Sequence, residues 1–104
     1  MDTDQLIKLS RARFDHENAR RVLKEKYQAK MLFAYREGMW RAGPELLSLL
    51  DFCDKRDSAE IVILDLYETP IKVNCKELWN LAAACWQEQM NAWLIEFENL
   101  RQQR

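Results

Sequence analysis

An α+β fold, mostly α and built on a long antiparallel helix pair, is what this 104-residue sequence predicts. Three observations carry that reading. Only two Gly and two Pro occur, so the chain has few places to turn and its elements must be long. The first third is charged, with small and apolar residues recurring at three- and four-residue steps, while a β-branched, alternating stretch ("EIVILDLYETPIKVN") follows further on. Finally, "WNLAAACWQEQMNAW" sets Trp79, Trp86 and Trp93 seven residues apart on the last segment. A hydrophobic content of 48% supplies a core, and the length fits a single domain over 1–104.

In chain order, residues 3 to about 40 read as one helix. Thr3 is its N-cap, Asp4 lies in the first turn, and nothing breaks it before Gly38. Leu9, Ala12, His16, Ala19, Leu23 and Tyr27 form a narrow seam along it, and "MLFAY" (31–35) thickens the apolar content where it enters the core. Pro44 opens a second helix, about 44–54, whose Leu46, Leu47, Leu49, Leu50 and Phe52 predict burial along most of its length. One β-hairpin spans about 61–73, broken at Glu68-Thr69-Pro70. Asn74, three residues before Glu77, caps a last helix over about 75–102.

The tryptophan stripe continues an alternating seam, Trp79-Ala83-Trp86-Met90-Trp93-Phe97-Leu100, as in heptad packing. Large rings here face small Ala12 and Ala19 of the first helix, so the stripe is read as packing first and as a partner surface at its distal indoles second. The hairpin is the other candidate interface. Two strands alone are marginal in water. Ile61 and Ile63 on one face rest on the Leu-rich helix, which leaves Val62, Leu64 and Leu66 on the other face in need of a cover from another chain. Asp65, between Ile and Leu residues, is expected on the hairpin's wet side as readily as inside.

Catalysis has little to stand on. One His, scattered carboxylates and no serine in an elbow context give no nucleophile, base and orienter, so a non-enzyme without cofactor or small-molecule substrate is expected. Cys53, Cys75 and Cys85 contain no CxxC pair; they read as reduced core thiols, and with His16 they lack the short ligand spacing of a zinc site. No apolar run reaches membrane-spanning length and no signal-peptide core opens the chain, which predicts a soluble, cytoplasmic protein.

Charge divides the sequence. Residues 1–44 carry ten Lys/Arg against six Asp/Glu, whereas residues 45–104 carry six against eleven. Such a dipolar chain favours a protein partner or self-association, as a homo-oligomer or larger assembly, over nucleic acid. Arg11, Arg13, Arg20, Arg21 and Lys24 form a basic face on the first helix. Asp15, Glu17 and Glu25 interrupt it, so its ordinary reading is a solvated face with i,i+4 pairs. Its functional reading is a grip on an acidic protein or, less readily, on nucleic acid.

The stretch from residue 62 to 104 resembles a C-terminal module of tailed-bacteriophage tail-fibre and fibre-assembly proteins. The matching features are Asp65, the turn before Pro70-Ile71, the cap Asn74, Glu77-Leu78 and Ala82-Ala83-Ala84. The Trp-rich helix and the charged first helix depart from that module. The resemblance implies a small phage tail or baseplate protein, structural or chaperone, acting in the host cytoplasm or the virion and bringing no catalytic residues. The rival is a regulator that binds a host protein, or nucleic acid, through the basic helix.

Overall fold

The computed structural model describes residues 2–56 and 59–102. Its elements are α1 (Thr3–Lys30), β1 (Leu32–Tyr35), β2 (Gly38–Arg41), α2 (Pro44–Asp54), β3 (Glu60–Leu64), β4 (Pro70–Asn74) and α3 (Cys75–Gln102). The α+β, mostly helical class holds, with a long helix at each end of the chain. The molecule is elongated, 66 × 24 × 20 Å. A head contains both strand pairs, α2 and the start of α3; a stalk is formed where α1 and α3 run side by side.

The first helix is shorter than the sequence predicts. It stops at Lys30, and residues 31–42 form a second hairpin where helix was expected. Leu32 pairs with Arg41 and Tyr35 with Gly38, and Ala42 N–H donates to Met31 O at 2.8 Å to extend the ladder. Burial drives the change. Trp40, the one indole outside the heptad stripe, is 2% exposed, and its Nε1 donates to Tyr35 O at 3.0 Å. A strand brings Trp40 and Phe33 into one core that a continuing helix would carry away. Gly38 makes room for this, since a Cβ there would lie 2.5 Å from Ile71 Cδ1 and 3.1 Å from the Trp40 ring. The α1 cap is also one residue earlier than expected: Asp2 accepts from Gln5 N–H at 2.9 Å.

The head core joins Trp40, Leu50, Val73 and Leu78, with Ile61, Ile63, Ile71 and Leu46 packed against them. Next to it, Met31, Ala42 and Ala82 gather Leu47, Cys85, Trp86 and Met90. α2 is only half inside: Leu50 is fully buried, but Leu49 and Phe52 are exposed, with Arg56 stacked 4.5 Å from the Phe52 ring. Asn74 caps α3 as expected, accepting from Glu77 N–H at 3.0 Å. Glu77 does not complete the box; it accepts from Tyr35 OH at 2.8 Å instead.

The stalk is thinner. α1 buries only Leu23 and Tyr27. Tyr27 stacks on Trp93, with centroids 6.0 Å apart and planes 8° from parallel. Glu96 Oε1 accepts from Lys26 Nζ at 2.7 Å and Tyr27 OH at 2.6 Å, tying the two helices by one carboxylate. Those two donors hold Glu96 below the usual carboxylate range, and the same hydrogen bond holds Lys26 above its ordinary value.

Candidate interaction surface

The two edges of the β3–β4 hairpin differ. Cys75 N–H donates to Ala59 O and Asp65 N–H to Thr69 O, both at 3.0 Å, and the register pairs Ile61 with Val73 and Ile63 with Ile71. Hydrogen-bonded pairs in an antiparallel ladder alternate. Odd-numbered residues of β3 therefore bond to β4, while the N–H and C=O of Glu60, Val62 and Leu64 point away from it.

On β4 the outward edge is partly covered. Pro70 has no N–H, Lys72 O accepts from Arg36 Nη1 at 2.8 Å, and Asn74 N–H meets Tyr35 Oη at 3.4 Å. Arg36 is the clasp. It occupies the β1–β2 turn with φ 50°, a conformation that favours glycine, and its guanidinium also lies 3.6 Å from Glu60 and 3.8 Å from Glu77. On β3 no such cover appears among the described residues. Its outward-facing side chains are apolar too, Val62 being 64% and Leu64 61% exposed. Tyr67 stands exposed at the loop beside them.

Asp65 is what shapes that loop. It is buried, not on the wet side. Oδ1 accepts from Tyr67 N–H at 3.0 Å and Thr69 N–H at 2.9 Å, while Oδ2 accepts from Met39 N–H at 3.1 Å. Leu66 N–H in turn donates to Met39 O at 2.8 Å, so the loop closes the outer edge of β2 at Met39. These backbone donors, that of Thr69 first, hold the Asp65 carboxyl below its ordinary range despite burial. Leu66 thus serves the internal junction and does not continue the Val62–Leu64 face.

The remaining sequence-predicted residues are dispersed. Trp79 leaves the seam; Leu78 and Ala82 take the buried positions in those turns, and Trp79 borders a shallow groove of about 240 Å³ against Leu50, Asp51 and Asp54 of α2. Trp86 packs at the head–stalk junction and Trp93 in the stalk. Three of the five basic-face residues have partners on the stalk helices: Arg13 pairs with Glu17, Arg20 lies over Phe97 and Arg21 donates to Asn18 Oδ1. Arg11 lies on another side of α1 from Arg20 and Lys24, nine and thirteen residues on at 100° per residue.

Cys75 is buried, and that burial pushes its thiol up; Cys53 and Cys85 are half-buried. His16 borders the open groove between α1 and the end of α3, together with Ala12, Ala19 and Leu100. The small-into-large seam expected there is therefore unfilled. No described helix is long and apolar enough to cross a membrane.

Comparison with known proteins returns no family, no curated protein and no solved structure that matches this chain.

Proposed function

We propose that this chain is a non-enzymatic protein-interaction module that engages another polypeptide through the free edge and outer face of β3. The observation that supports it is the asymmetry of the hairpin, whose β4 edge is clasped by Arg36 and Tyr35 while β3 offers Val62 and Leu64. An edge strand with unpaired backbone groups and flanking apolar side chains is the substrate of strand addition: main-chain bonds supply affinity and alternate side chains supply selectivity. The partner contributes an extended segment with apolar residues at alternate positions.

A narrower reading makes the chain a small structural or assembly protein of a tailed phage, in the host cytoplasm or the virion. Its support is the C-terminal resemblance, and the structure adds a role to one matching residue, Asp65 as organiser of the loop beside the edge. The rival that places binding on the basic helix face has less to draw on, because Arg13, Arg20 and Arg21 are engaged along the stalk.

Val62→Lys and Leu64→Lys test the reading. Each places a charge on the outer face without entering the core, so binding of a partner strand at the β3 edge is lost while helix content stays constant. Unaltered association would move the interface elsewhere. Unfolding of both variants would make the hairpin ordinary core.

A further inference from the structure

We propose that the N-terminal arm of α1, Thr3 to Phe14, pairs with the same segment of a second copy of this chain, antiparallel across a two-fold axis. This surface is separate from the β3 edge and stands independently of it. Every residue from Asp2 to Asp15 is exposed. At 100° per residue, Thr3, Ile7, Ser10 and Phe14 fall in one line on the side of α1 away from the seam that faces α3. Their steps of four, three and four are those of a helix-pairing stripe. Leu6 lies beside them, and Thr3, Leu6, Ile7, Ser10, Arg11 and Phe14 border one shallow groove. Leu6 is 52%, Ile7 47% and Phe14 68% exposed. A helix arm of this length gains little stability from its own backbone, so an apolar stripe along it needs cover.

The sequence says what the cover is. Laid antiparallel on itself, the stripe sets Phe14 against Thr3 and Ile7 against Ser10, a large residue opposite a small one in every layer. The flanking positions complement as well. Asp4 of each copy meets Arg11 of the other, giving two ion pairs by symmetry. Parallel pairing would instead stack Phe14 on Phe14 and leave the Thr3 and Ser10 layers polar. The next positions of the stripe are Glu17 and Arg21, which end the apolar run, so the overlap is about 12 residues or roughly 18 Å. The product is a closed dimer of modest affinity that points its two heads in opposite directions and leaves both β3 edges free.

Light scattering and sedimentation of the full chain over a dilution series test this. The mass should fall from about twice 12.5 kDa to 12.5 kDa on dilution. Ile7→Glu and Phe14→Glu should be monomeric throughout, with the circular dichroism and thermal midpoint of dilute wild type, because both side chains are exposed in the protomer. Asp4→Arg and Arg11→Asp should each weaken the dimer about tenfold, two rim ion pairs being lost, and the double exchange should restore it. A monomeric wild type, a dimeric Ile7→Glu, or a double exchange no tighter than the singles would overturn the pairing. Loss of the dimer in Val62→Lys but not in Ile7→Glu would also overturn it and would leave the β3-edge reading standing.

Discussion

In the head, four side chains from β2, α2, β4 and α3 (Trp40, Leu50, Val73 and Leu78) are almost wholly out of water, and three backbone N–H groups converge on Asp65. In the stalk, α1 spends 28 residues to bury two, and polar links through Glu96 do much of the joining. One region therefore stabilises the fold and the other displays surface. Burial of apolar area dominates stability, so the head carries it. The stalk, with its N-terminal arm bare, is free to present side chains to another chain.

Substitutions should rank accordingly. Leu78→Ala, in the centre of the head, should cost about 3–5 kcal/mol in denaturant unfolding, the range for a fully enclosed leucine. Asp65→Ala should lower the thermal midpoint by several degrees, because it strands the N–H groups of Met39, Tyr67 and Thr69. Trp86→Ala, half-buried at the junction, should cost about 2–3 kcal/mol. Trp93→Ala in the stalk should cost only about 1–2 kcal/mol, chiefly the stacking on Tyr27 and its share of burial. A Trp93→Ala loss as large as that of Leu78→Ala would erase the distinction between the two regions.

pH divides the regions as well. Asp65 and Glu96 both titrate below their unfolded values, so their contributions are complete above about pH 4–5 and disappear as pH falls through the folded values. Lys26 is shifted the other way: its contribution is present below about pH 10 and is lost as pH rises through its folded value. Glu96→Gln should therefore flatten both limbs of the stability profile by acting on the stalk. Asp65→Asn should flatten the acid limb alone, and an unchanged acid limb in both variants would contradict these assignments.

Much of this comparison is legible in the sequence. Pro44, the alternation of Ile61–Ile63 and the Asn74 cap each determine a local structure from neighbouring residues, and the corresponding elements form as read. What is not legible depends on distant partners. "MLFAYREGMW" lacks the Asn-Gly or Asp-Gly that announces a tight hairpin, and Arg36 tolerates its turn conformation where Lys72, Glu60 and Glu77, far along the chain, receive its guanidinium. Trp79 leaves the stripe because a straight α-helix drifts about 20° per heptad and the head offers different neighbours from the stalk. Asp65 reads as wet or buried alike until the turn and β2 supply its donors. The open face of β3 is half visible: the alternation leaves Val62 and Leu64 in need of a cover, but which edge stays free is decided by Arg36.

Residue-resolved amide exchange in the dilute, unassociated chain tests that free edge most directly. Slow exchange is expected at Ile61, Ile63, Ile71 and Val73, whose N–H groups lie within the ladder, and fast exchange at Val62 and Leu64 on the same strand. Protection at Val62 and Leu64 equal to that at Ile61 and Ile63 would show the edge already occupied within the chain, and would contradict its role as the surface that receives a partner.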